Sequence, residues 1–156
     1  MTEVYIGVGS SLNKLESIKA GIASLQLEFG KLKQSSIYES ESVGFVGGNF
    51  YNLVIEFNTK LTVNRLISKL KEIEIKHGRV NNTIKFAPRT LDLDLLLYGR
   101  EIDKKNNLPR AEITKNAFVL KPLSELAPQL KHPILNETYQ YLWEHYPKDK
   151  QKLWKI

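Results

Sequence analysis

The run Phe86-Ala87-Pro88-Arg89-Thr90-Leu91-Asp92-Leu93-Asp94-Leu95-Leu96-Leu97-Tyr98-Gly99 decides how this chain is read. From Leu91 to Tyr98 it is an apolar strand with two carboxylates set into it. Side chains alternate across a strand, so Asp92 and Asp94 point to the same face, about 7 Å apart along it. Two like charges on one sheet face repel unless something neutralises them. A hard divalent cation with oxygen ligands is the natural neutraliser. A half-exposed strand with merely solvated aspartates is the alternative, and the short D-x-D pattern leaves both readings open. Arg89, just before the strand, adds a fixed positive charge suited to phosphate. Carboxylate pair, metal and arginine together suggest phosphoryl-transfer chemistry.

Outward from this strand, the other elements follow from periodicity. Val4, Ile6 and Val8 alternate on one face of a first strand, which Gly9-Ser10-Ser11 breaks. Asn13 stands three residues before Glu16, the spacing of a capping box. Leu15, Ile18, Ile22 and Leu25 then form one apolar stripe at helical spacing, and Gly30 ends the helix. Lys33 to Ser42 reads as an edge-like strand and Val43 to Asn49 as a glycine-rich loop. Phe50 to Thr59 reads as a strand. Thr62 is an N-cap for a helix carrying Leu66, Ile67, Leu70 and Ile73 on one face, with Gly78 as its stop. Asn81 to Thr83 is a polar loop, and Pro88 fixes the entry to the next strand. The order strand, helix, strand, strand, helix, strand predicts an α+β fold with a ferredoxin-like βαββαβ core. Its sheet is mainly antiparallel, with helices packed on one face. Beyond Gly99, Phe118 to Leu130 covers the core and Thr138 to Tyr146 forms a short amphipathic helix, as C-terminal additions.

With 156 residues, 42% hydrophobic and 26% charged, the chain has the balance of one globular domain spanning residues 1–156. No apolar run reaches the length of a membrane span, and Met1-Thr2-Glu3-Val4 does not open like a secretory signal. The absence of cysteine excludes disulfides and thiolate metal sites and fits a cytoplasmic protein. A net charge of +6 with pI near 9.4 favours anionic partners such as nucleotides or nucleic acid. The lysines are spread along a solvated surface, densest from Lys148 to Lys155.

The string from Pro88 to Gly99 resembles the signature of the 6-hydroxymethyl-7,8-dihydropterin pyrophosphokinase family. Three further stretches are similar in the same order: Tyr5 to Leu12, Gly78-Arg79-Val80, and Ala117 to Leu123. The resemblance covers nearly the whole chain and implies a ferredoxin-type core with additions. It implies transfer of the diphosphate of ATP to the hydroxymethyl group of a dihydropterin, releasing AMP, for folate synthesis. It further implies two Mg2+ ions held by Asp92 and Asp94, with Arg79 and Arg89 on the phosphates. Read locally, Arg79 could equally stabilise the end of the preceding helix. By the same resemblance Phe50 and Phe118 stack on the pterin and Asn52 reads its edge. Ser40 and Val43 meet it mainly through backbone groups. The ordinary alternative for both phenylalanines is core packing. A one-residue register change would put Tyr51 in place of Phe50. Lys85 and Phe86 resemble the basic and aromatic pair of the loop before the signature, and Glu74 and Leu95 match positions lining the nucleotide.

Some positions depart from the family's pattern. Pro109-Arg110 stands where a Pro-His pair is usual, Asn116 where an arginine is usual, and Asn81 where some members carry a basic residue. Arg110 is then a candidate phosphate or ribose contact in place of histidine. These departures motivate a second reading, a pterin- or nucleotide-binding homologue with weakened catalysis. A third reading, a basic RNA-binding module of the same topology, lacks the RNP1-like string such modules use. The partners implied are therefore ATP and a small pterin, with neither nucleic acid nor membrane, and the sequence names no protein partner. The segments Val43 to Asn49 and Asn81 to Ala87 are expected to close over bound ligands.

Overall fold

The computed structural model describes residues 1–11, 13–41, 49–78 and 91–156. Val43, Arg79, Asn81, Lys85, Phe86 and Arg89, and the two expected closing segments apart from Asn49, lie outside the described residues.

Among the described residues six strands form one sheet: β1 (Thr2–Ser10), β2 (Lys33–Gln34), β3 (Tyr38–Ser40), β4 (Phe50–Thr59), β5 (Asp92–Tyr98) and β6 (Leu153–Lys155). Their order is β5-β1-β4-β3-β6, with β2 also on β4, and every described pairing is antiparallel. The first strand thus lies between the last and third strands of the βαββαβ unit, as the ferredoxin-like reading requires. Its helices are α1 (Lys14–Phe29) and α2 (Val63–Lys76); α3 (Ala117–Leu126) and α4 (Tyr139–Glu144) follow.

The two core helices share one face of the sheet, as expected, and the C-terminal helices take the other. α1 and α2 cover one face of the sheet, where Ile18, Leu25, Leu66, Leu70 and Ile73 pack with Val4, Ile6, Val8, Ile55 and Leu93. α3 and α4 cover the other, where Leu120, Leu123 and Tyr139 pack with Tyr5, Val54, Leu96 and Leu97. A register shift places one extra residue, Leu96, in β5 opposite the Tyr5–Ile6 step of β1. Such a bulge lets two successive side chains share a face. Leu95 joins the first cluster, whereas Leu96 and Leu97 both join the second. Covering on both faces is the physical reason for the unbroken leucine run.

The strand expected at an edge over Lys33 to Ser42 is interrupted, and its second part, β3, is interior, between β4 and β6. Residues 35–37 stand against only Leu53 and Val54 of β4, which splits the strand into β2 and β3. Ser35 repairs the ladder there: its N–H donates to the Val54 carbonyl at 2.9 Å, and its Oγ accepts from the Val54 N–H at 3.0 Å.

The helix starts differ in chemistry. Thr62 caps α2, its Oγ1 accepting from the Arg65 N–H at 3.3 Å. Asn13 does not form the expected box; it is left-handed, with φ 49°, and makes no side-chain cap bond. Leu15 is also 44% exposed, so the buried stripe of α1 is Ile18, Gly21 and Leu25 rather than one starting at Leu15. Gly21 is there because a Cβ would stand 2.8 Å from a methyl of buried Leu91, at the entry to β5. His77, at the end of α2, contacts Ser24 Oγ through Nε2 at 2.8 Å and so ties the two helices together.

Among the described residues β5 is a sheet edge, with no strand beyond it to take the outer Leu93 N–H. It donates instead to Glu74 Oε2 of α2 at 2.7 Å, a carboxylate only 4% exposed. Glu74→Ala is expected to lower folding stability by about 1–3 kcal/mol, because it strands a buried N–H, while Glu74→Gln retains an acceptor and loses less. Urea denaturation of the three proteins checks this.

Candidate functional site

Across the α3 side of the sheet run two rows of paired residues, Asn52–Gly9–Asp92 and Val54–Gly7–Asp94. The central strand contributes no side chain to either row, so the surface is hollow between β4 and β5. That hollow is a cavity of about 240 Å³, floored by Gly7, Gly9, Val54 and Leu96. Phe50 and Asn52 line it from β4, Asp92 and Asp94 from β5, and Asn116, Phe118 and Val119 from α3 and its N-cap. A Cβ at position 9 would stand 2.7 Å from Asn52 Oδ1, so glycine is required for the amide to lie where it does.

The register decides between the two adjacent aromatics of β4. Phe50 faces the cavity, while Tyr51 packs on the opposite, α1 and α2 side of the sheet, beneath the Lys14 ammonium. Asn52 Nδ2 is buried and has no hydrogen-bond partner among the described residues. A buried amide donor left so is costly unless something enters to accept from it. Ser40 stands opposite Phe50 in the β3–β4 register, and its buried Oγ likewise has no partner among the described residues. Ser40 is not among the described residues that line the cavity.

A second cavity of about 230 Å³ lies at the β5 edge, between β5 and α2. Glu74, Leu95, Lys71 and Asn106 line it, and Asp94 and Arg110 line both cavities. Arg110 stands between the two spaces. Its Nη2 is 3.4 Å from Asp94 Oδ1 and its Nε is 3.2 Å from Glu112 Oε2. Its own N–H donates to the Leu96 carbonyl at 3.0 Å, which fixes the residue to the bulge in β5. The substitution of arginine for the expected histidine therefore brings a cation onto one of the two paired carboxylates. Glu112 escaped sequence reading, since an acidic residue in a polar loop carries no local signal.

The wall made by α3 is held at both ends. At its C-terminal end Glu125 accepts from Tyr38 Oη at 2.5 Å and from the Ser36 N–H and Oγ, each at 2.9 Å. Burial works against the Glu125 charge, but these donors outweigh it and keep its pKa below the ordinary glutamate value. Burial, reinforced by the same contact, pushes the Tyr38 hydroxyl well above the usual tyrosine range. At the N-terminal end Asn116 makes no side-chain cap bond; Gln151 does that work instead, accepting from the Ala117 N–H at 2.7 Å.

Of the residues singled out in the sequence, the fold thus brings Phe50, Asn52, Asp92, Asp94, Arg110 and Phe118 around one cavity, with Glu74 and Leu95 around its neighbour. Among the described residues, no three His, Cys, Asp or Glu side chains converge as a closed metal cage. Asp92 and Asp94 instead form an open pair of hard oxygen donors.

Comparison with known proteins bears on what such a site does. A family model for 7,8-dihydro-6-hydroxymethylpterin-pyrophosphokinase (HPPK) matches residues 5–128. A protein of Aquifex aeolicus named 2-amino-4-hydroxy-6-hydroxymethyldihydropteridine pyrophosphokinase is 36% identical over 140 residues, covering 86% of each chain. A protein of the same name from Haemophilus influenzae is 34% identical over 154 residues, covering 93% of this chain and 96% of its own. In fold, the chain is similar to wild-type Plasmodium falciparum HPPK-DHPS crystallised with pteroate, with a TM-score of 0.68 at 15% identity. That match covers 93% of this chain but 42% of the longer Plasmodium chain. The sequence match across most of its length shows that this chain belongs to the 7,8-dihydro-6-hydroxymethylpterin-pyrophosphokinase family.

Proposed function

We propose that the protein transfers the diphosphate of ATP to the hydroxymethyl group of 6-hydroxymethyl-7,8-dihydropterin, releasing AMP, as a step of folate synthesis. The observation that carries this reading is the pair of adjoining cavities that share Asp94 and Arg110. One has aromatic walls and an unsatisfied amide, as a flat polar heterocycle needs. The other opens beside it at the same carboxylate, where the phosphates of a nucleotide would reach the acceptor.

In this reading Phe50 and Phe118 stack on the pterin, and Asn52 Nδ2 donates to an acceptor on its edge. Ser40 supports the same wall, and the backbone at Val43 belongs to the proposal on the strength of the resemblance. The nucleotide lies along Leu95 and Arg110, with Lys85 and Phe86 assigned to it by the same resemblance. Glu74 borders it but is chiefly the clamp on the Leu93 N–H. Arg79 and Arg89 are the proposed phosphate cations. The acceptor oxygen bonds to the β-phosphorus as the bond to the bridging oxygen of AMP breaks, and the hydroxyl gives up its proton. Alignment of these atoms is the protein's main contribution.

Asp92 and Asp94 fit two Mg2+ ions, because magnesium takes one or two carboxylates and keeps its remaining positions for water and phosphate oxygens. When bound, magnesium neutralises charge on the phosphate oxygens. Arg110, 3.4 Å from Asp94, must share or yield that carboxylate when a cation arrives, which supports its role beside the phosphates. The same contact is the observation that favours a weakened catalyst as the second reading. AMP release from ATP, measured with and without the dihydropterin, separates the two.

The proposal extends to residues 1–156 acting as one domain in the cytoplasm. The cysteine-free composition is compatible with a reducing compartment. Among the described residues no helix is long and apolar enough to cross a membrane.

Two substitutions test the assignment of the cavity. Asp94 is half exposed, so Asp94→Ala leaves the melting temperature unchanged and lowers turnover by ~10²–10³-fold. Near-normal turnover at limiting magnesium would remove Asp94 from the chemistry. Asn52→Ala weakens pterin binding roughly tenfold to a hundredfold and leaves ATP binding intact, as titration calorimetry with each ligand can read. Equal loss of both ligands, with a lowered melting point, would make Asn52 a structural residue.

A further inference from the structure

The match to the family model ends at residue 128, yet the last six residues touch the α3 wall of the first cavity and pair with β3, the strand behind its β4 wall. On the α3 wall, Gln151 Oε1 accepts from the Ala117 N–H at 2.7 Å, while its Nε2 donates to Asn116 Oδ1 at 3.1 Å. Asn116 and Phe118 are both cavity residues, and Gln151 holds the Asn116 side chain and the Ala117 N–H that lies between them. Behind the β4 wall, Leu153 pairs with Ser40, whose other partner in the sheet is Phe50. Trp154 Nε1 donates to Glu39 Oε1 at 3.0 Å, and the second oxygen of the same carboxylate accepts from Asn49 Nδ2 at 3.2 Å. Asn49 immediately precedes Phe50. The Ile156 N–H closes the strand on the Ile37 carbonyl at 3.0 Å.

We propose that Gln151 is a positioning residue for the pterin, and that the C-terminal segment 151–156 sets the distance between the Phe50 and Phe118 walls. The inference rests on the pterin reading of this cavity. A ring held between two aromatic faces gains its dispersion energy over a narrow range of separations. A wall that drifts by a fraction of an ångström therefore loses affinity without losing a contact residue. The first helical N–H groups have no partner inside their own helix. In α3 the Ala117 N–H is satisfied by a residue 34 positions away, so the helix start is set by the tail rather than by its own cap. The neutral Asn116–Gln151 pair also accounts for asparagine at a position where the family usually has arginine. The amide is the partner that the tail requires.

The test compares Gln151→Ala and Gln151→Glu with the natural protein. Ligand binding is read separately for 6-hydroxymethyl-7,8-dihydropterin and for ATP with magnesium, and exchange of the Ala117 amide is followed by NMR. Gln151→Ala is expected to raise the pterin Kd about tenfold, leave the ATP Kd within about twofold, and speed Ala117 exchange. Gln151→Glu keeps an acceptor for Ala117 and can accept from Asn116 once that amide turns over, so it restores pterin affinity to within about threefold. An unchanged pterin Kd in Gln151→Ala overturns the inference, as does equal weakening of both ligands. Failure of the natural protein itself to bind the pterin overturns the reading of the cavity, and this inference with it.

Discussion

The backbone pairing of β1 between β4 and β5 is the constraint on which the rest of the structure depends. It sets Asn52 and Asp92 on either side of Gly9, and Val54 and Asp94 on either side of Gly7. Two glycines in the central strand would ordinarily weaken it, since they leave nothing to pack. Here the empty space is the site. The strand keeps its place through the opposite face, where Val4, Ile6 and Val8 are fully buried against α1 and α2. One strand thus anchors the sheet with one face and hollows it with the other.

The second determinant is the bulge at Leu96. By turning Leu96 and Leu97 to the same side, it gives α3 and α4 an apolar surface to cover that begins at the floor of the hollow. The same backbone accepts from the Arg110 N–H at 3.0 Å, which carries the guanidinium to the boundary between the two cavities. An irregularity of the sheet therefore packs the second layer and also delivers a cation to Asp94. Around that carboxylate the charges are arranged in series. Arg110 neutralises part of Asp94 and is itself balanced by Glu112.

Much of this was legible in the residues. The alternation of β1 and β4, the stripe of α2 with its Thr62 cap, the glycine stops of α1 and α2 and the carboxylate pair in β5 are local patterns, whereas β1 runs on through Gly9 to Ser10, where a break is expected. Each is set by strand or helix period over a few residues. Their order in the chain suffices for the ferredoxin-like core, because short connections leave few ways to arrange them. Asn13 shows the limit of such signals. Its spacing to Glu16 is right for a capping box, but a left-handed backbone at φ 49° takes the side chain away from the helix N–H groups. Leu15 fails for a related reason, because helical spacing names a stripe and only the neighbouring sheet says how far it extends.

What the sequence by itself determined is therefore the elements of the βαββαβ core, their order, and the placing of Asp92 and Asp94 on one strand face. Only the tertiary structure decided that both faces of the sheet are covered, that Phe50 rather than Tyr51 enters the cavity, and that Arg110 reaches Asp94. It alone decided that Glu74 clamps β5, and that the lysine-rich end of the chain supplies β6 and the cap of α3. The physical reason is separation along the chain. Trp154 meets Glu39 across 115 residues and Gln151 meets Ala117 across 34, and neither contact leaves a periodic trace at either end. Periodicity reports which side of an element is apolar. Which distant polar group satisfies a given N–H is settled only when the elements have packed.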